Sequence, residues 1–116
     1  MKNTLLVLLF ILSTQVFAET GCSSALSDGL FDTEFNKIKS YDFDEAKKTA
    51  IETIFLKCLT SAQIKQLLQE LSFEEDKLEL AKKAYDNVYD PKNFGIIKTV
   101  FDFDESKKAI DLLMNP

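Results

Sequence analysis

A phenylalanine, an acid and a glutamate follow one another three times in this sequence at a single phase. Phe43-Asp44-Glu45, Phe73-Glu74-Glu75 and Phe103-Asp104-Glu105 are spaced 30 residues apart. A lysine follows each copy at a fixed offset (Lys47, Lys77, Lys107), and an aromatic or leucine precedes each by two (Tyr41, Leu71, Phe101). Self-similarity at such a period restricts a chain to folds in which one supersecondary unit recurs and buries its apolar face against the next copy.

The second copy shows what the unit is. Thr60-Ser61-Ala62-Gln63 has the pattern of a capping box, in which the threonine oxygen accepts from the third amide and Gln63 reaches back. Ile64, Leu67, Leu68 and Leu71 then form one helical stripe. Ser72-Phe73-Glu74-Glu75 reads as a second box, followed by the stripe Leu80, Ala81, Ala84, Tyr85 and Val88. The unit is therefore expected to be a helical hairpin with a very short turn. In the third copy Asp90-Pro91 opens a helix carrying Phe94, Ile97 and Phe101, with proline at the first position, where its missing N–H costs nothing. Asp102 to Glu105 starts the next helix, with Ile110, Leu113 and Met114. In the first copy Phe31, Phe35, Ile38 and Tyr41 precede Asp42 to Glu45, and Ala50, Ile51, Ile54, Phe55 and Cys58 follow.

No segment alternates with period two long enough to argue for a strand. The expected fold is all-α: three stacked helical hairpins, six helices in all, a small α-solenoid-like domain over residues 30–116. In this reading Asp42, Glu45, Ser72, Glu75, Asp102 and Glu105 are structural cap residues that complement helix dipoles. Phe43, Phe73 and Phe103 are repeat core, each plugging the gap inside its hairpin. The repeated lysine is expected either in i, i+3 pairs (Asp44–Lys47, Glu74–Lys77, Asp104–Lys107) or with its stem over the phenylalanine and its ammonium on carbonyls of the preceding helix. The columns Ile38, Leu68 and Ile51, Ala81 become Lys98 and Asp111 in the last copy. A terminal repeat needs such a polar outer face, so the array is expected to end there.

The first 18 residues read as a cleaved secretory signal peptide. Lys2 gives the positive start, Leu5 to Leu12 is an unbroken apolar run, and Val16-Phe17-Ala18 suits cleavage after Ala18. Eight apolar residues are too few to span a bilayer, which takes roughly 20. Residues 19–29 are small and polar and read as an N-terminal arm. The two cysteines, Cys22 and Cys58, are expected to pair in the oxidising compartment such a chain enters, secreted or periplasmic. No Asn-x-Ser/Thr sequon follows Ala18.

Composition excludes several functions. The net charge is −5, and the fourteen cations are all lysine and lie scattered among nineteen acids. Such a chain is not built to neutralise phosphates, so neither nucleic acid nor an anionic membrane is an expected partner. Without histidine there is no His-based triad or metal site. The three glycines make no phosphate loop, and the acids at the repeated helix starts lack the ligand-bearing loop of a calcium site. No catalytic residue, metal ligand or cofactor is expected. Tyr85 and Tyr89, one helical turn apart, are the expected exposed aromatics and a possible contact site.

The run Leu71-Ser72-Phe73-Glu74-Glu75-Asp76-Lys77-Leu78-Glu79-Leu80-Ala81, with Ala84-Tyr85, Asp90, Asn93-Phe94 and Phe101-Asp102-Phe103, resembles a widespread family of domains of unknown function, numbered 4476. The resemblance extends over roughly Phe31 to Met114. It implies an exported all-helical domain and brings no catalytic residues. With nearly every residue explained by folding, the surface is the remaining functional asset. The expected role is a protein-interaction or cell-envelope accessory module, not an enzyme. The alternative is a small-molecule or lipid carrier with an apolar interior.

Overall fold

The computed structural model describes residues 21–116 and contains six helices, with no strand among the described residues. The signal-peptide reading lies outside the described residues. Helices α1 (Asp28–Lys39), α2 (Asp44–Ile54), α3 (Ser61–Leu68) and α4 (Glu74–Tyr85) are followed by a 3-10 helix (Pro91–Val100) and α5 (Asp104–Met114). The all-α expectation holds. Two details of it are corrected. Helix α1 starts at Asp28, capped by the Ser27 hydroxyl, which accepts from Leu30 N–H, so the last residues expected in the arm are helical. The segment after Asp90 is 3-10 rather than α. Asn93, Gly95 and the β-branched Ile96, Ile97, Thr99 and Val100 are weak α-formers, which lowers the cost of the tighter winding.

The apolar stripes read from the sequence meet in one core. Ile64, Leu67 and Leu68 of α3, Leu80, Ala81 and Ala84 of α4, and Phe94 and Ile97 of the 3-10 helix are all buried. Phe31, Ile38, Ile51 and Ile54 extend this core under α1 and α2. The Thr60–Gln63 capping box forms in both directions. Helix α3 gains a further partner, because Ser61 N–H donates to the Asp90 carboxylate at 2.7 Å and Ser61 Oγ donates to Asp90 O. Asp90 thus caps α3 and makes no side-chain cap on the 3-10 helix that follows it.

The N-terminal arm is fastened to the body. Cys22 and Cys58 form a disulfide with their Cα atoms 5.8 Å apart, ordinary bridge geometry. Leu26 N–H donates to Cys58 O at 2.7 Å, and Gln63 Nε2 donates to Leu26 O. Gly21 sits at φ +120°, and a Cβ there would stand 2.9 Å from Val88 O, so glycine is required at that approach.

The bridge closes a loop of 36 residues in sequence separation, and the chain-entropy relation gives about 3–4 kcal/mol for a loop of this size. Paired Cys22→Ser and Cys58→Ser substitutions are expected to lower the urea unfolding free energy by that amount. An unchanged midpoint would show that the arm contributes nothing to the fold.

Candidate functional site: an exposed aromatic edge

The three repeated phenylalanines are not core. Phe43, Phe73 and Phe103 are 74%, 63% and 62% exposed. The reason is a register shift of one residue in the helix starts. Each phenylalanine is itself the N-cap, with extended backbone (φ −120° to −99°), and the helix begins at the next residue. An N-cap residue stands outside the helical stripe, so its ring is not carried into the core. In the second and third copies the residue two earlier takes the plugging role: Leu71 and Phe101 are buried, while Tyr41, in the first copy, is exposed.

The expected caps are corrected with the register. No side-chain cap hydrogen bond closes α2, α4 or α5, so Asp42, Glu45, Ser72, Glu75, Asp102 and Glu105 are not capping-box partners. The acid directly after each phenylalanine does different work. Asp44 Oδ2 accepts from Ser72 N–H at 2.7 Å. Glu74 Oε2 accepts from Asp102 N–H at 3.1 Å and Phe103 N–H at 3.0 Å. The same offset recurs, so each carboxylate ties its own turn to the equivalent turn of the next hairpin. The three phenylalanine-bearing turns therefore lie side by side along one edge. Asp104, the third equivalent, is exposed and makes no such bond among the described residues.

The repeated lysine also reaches forward. Lys47 Nζ pairs with Glu70 at 3.4 Å, and Lys77 Nζ donates to Val100 O at 3.1 Å. Glu70 and Val100 are equivalent positions one period apart. The expected i, i+3 pairs with Asp44 and Glu74 are replaced by these contacts, because each ammonium finds a partner on the neighbouring hairpin. Helices α2 and α4 are further joined by Lys48 with Asp76 (3.2 Å) and Glu79 (2.9 Å), and by Lys83 with Glu52 and Glu79. In the last copy Lys98 and Asp111 pair with each other at 2.7 Å.

Tyr85 and Tyr89 do not form a joint surface. Tyr85 packs its ring against Phe94, centroids 5.0 Å apart, because it continues the buried stripe of α4. Tyr89 alone is well exposed.

The charge network perturbs a few groups. Partial desolvation pushes the Glu74 carboxyl up, but the backbone N–H groups of Phe103 and Asp102, the Ser106 hydroxyl and the Lys77 charge outweigh it and leave its pKa lowered. The Lys48 and Lys83 hydrogen bonds hold Glu79 low, and the Glu52 and Glu79 bonds hold Lys83 high. The described residues contain no group of three or more side chains placed to hold a metal ion.

Two outcomes follow from this geometry. Phe73→Ala is expected to change stability by no more than about 0.5 kcal/mol, as an exposed substitution, whereas Phe94→Ala is expected to cost about 3–5 kcal/mol. A large loss at Phe73 in denaturant melts would restore it to the core. A lowered folded pKa means that Glu74 adds stability above its unfolded value, near 4.5, and loses it as pH falls through the folded value. Glu74→Gln should therefore be less stable than the parent at neutral pH, with the gap closing below that value. A gap independent of pH would contradict the assignment.

No curated protein and no solved structure matches the sequence. A family match covers residues 25–114, nearly all of the described chain. The chain belongs to the family of domains of unknown function numbered 4476.

Proposed function

We propose that this chain is an exported interaction module that holds a protein partner along the Phe43, Phe73 and Phe103 edge. The observation that carries the reading is the exposure of three large apolar rings at equivalent positions on turns bonded to one another. Folding does not account for Phe73 and Phe103, since the adjacent Leu71 and Phe101 do the plugging, and at the first copy Tyr41 is exposed together with Phe43. Aromatic side chains are enriched where proteins meet partners, because each offers large area at small entropic cost. The leader-like first 18 residues support export, and the Cys22–Cys58 bridge fits an oxidising compartment. The role is binding, and no catalytic step is assigned to it.

The carrier alternative would place the ligand inside. The crevice between Phe55, Leu59, Ile64 and Ala84 has no water-sized space, and the roomier hollows, about 310 Å³ beside Ile38, Tyr41, Ala50 and Ile54 and about 640 Å³ beside Tyr41 and Phe43, open to solvent, which favours the surface over the interior.

The test is photo-crosslinking in the native compartment, with a benzophenone amino acid replacing Phe43, Phe73 or Phe103 in turn. Discrete protein adducts are expected from these positions and not from Thr33, on the exposed face of α1. Adducts from Thr33 alone, or none from the edge, would contradict the proposal.

A further inference from the structure

We infer that the occupant of the aromatic edge is an extended polypeptide segment rich in lysine or arginine, its cationic side chains seated over the Phe43, Phe73 and Phe103 rings. This rests on the edge being the contact surface.

Charge complementarity around the exposed rings selects this partner. Exposed carboxylates lie within two residues of every phenylalanine in the chain: Asp42 and Glu45 at the first, Glu75 at the second, Asp102, Asp104 and Glu105 at the third. Asp44 and Glu74 are occupied by the backbone of the next turn, so the others remain free to meet a ligand. Two of the three repeated lysines are committed elsewhere, Lys47 to Glu70 and Lys77 to the Val100 carbonyl, while Lys107 shares a surface hollow with Asp104 in the third copy. The carboxylates by themselves would be solvated helix starts; what distinguishes them is that they rim rings which folding leaves bare.

A cation over a phenyl face is attracted by the ring quadrupole, and a neighbouring carboxylate adds Coulomb attraction. The chain contains this pairing once already, with Lys39 Nζ 5.1 Å from the centroid of Phe35. A neutral apolar partner would desolvate the rim acids with nothing in return. An anionic partner would be repelled by them. Packed helices lie about 8–10 Å apart, and a chain in the extended polyproline II conformation advances about 3.1 Å per residue with three residues per turn. A cationic residue at every third position therefore returns to one face about every 9 Å, the spacing of neighbouring helix starts.

The test uses the exported chain with its Cys22–Cys58 bridge intact, titrated with a fluorescent peptide about twelve residues long, lysine at every third position and glycine or serine between. Matched peptides carry glutamate or acetyl-lysine instead. Saturable, salt-sensitive binding of the lysine peptide alone is expected. A triple Phe→Leu variant keeps the apolar bulk but removes the rings, and should weaken binding at least about tenfold. Joint Glu45→Gln, Glu75→Gln and Glu105→Gln substitutions should weaken it too, while Asp32→Asn on α1 should not. The inference is overturned if the lysine peptide does not bind, if the glutamate peptide binds as well, or if Phe→Leu leaves affinity unchanged. Edge crosslinks in the native compartment without lysine-peptide binding would retain the interaction role and reject this partner chemistry.

Discussion

The bond from the Asp44 carboxylate to the Ser72 N–H, repeated from Glu74 to Asp102 and Phe103, is the constraint on which the edge depends. A helix start leaves unpaired amides, and a short turn before it leaves more. Here those amides belong to the next hairpin and the acceptor to the previous one. The bond therefore satisfies the backbone and sets the spacing between hairpins at once. Asp44 and Glu74 occupy the first position of their helices, where the dipole favours a carboxylate. One side chain thus complements its own helix and holds the following turn.

The lysine one turn on repeats the arrangement on the other side of the helix start. Lys47 and Lys77 both reach the end of the next hairpin's first helix, in one case a carboxylate and in the other a bare carbonyl. The identity of the acceptor changes while its position, one 30-residue period on, does not. Ion pairs of Lys48, Asp76, Glu79, Glu52 and Lys83 join α2 to α4 at the surface of the shared core. With lysine, aspartate and glutamate used to join the hairpins, the phenylalanines are released from structural duty and stand in solvent.

Much of this was legible in the residues. Stripes at helical spacing located the core at Ile64, Leu67, Leu80 and Phe94, because burial dominates periodicity. The Thr60–Gln63 box and the Cys22–Cys58 pair were legible for local chemical reasons. The phenylalanine edge was not. Ser72-Phe73-Glu74-Glu75 fits a capping box, and a shift of one residue leaves the pattern of acids intact while moving the ring from inside to outside. Local pattern cannot distinguish these two registers; the carboxylate-to-backbone bonds between residues 28 apart do. Lys98 and Asp111, polar in columns that are apolar in the earlier copies, form an ion pair with each other.

The most direct test of the account is the solvent exposure of the three rings in solution. Fluorine NMR on protein labelled with 4-fluorophenylalanine, with a soluble paramagnetic agent added, reads each ring separately. The resonances of Phe43, Phe73 and Phe103 are expected to broaden strongly while those of Phe31 and Phe94, buried in the core, stay sharp. Protection of the three repeated rings equal to that of Phe94 would contradict the exposed edge and everything built on it.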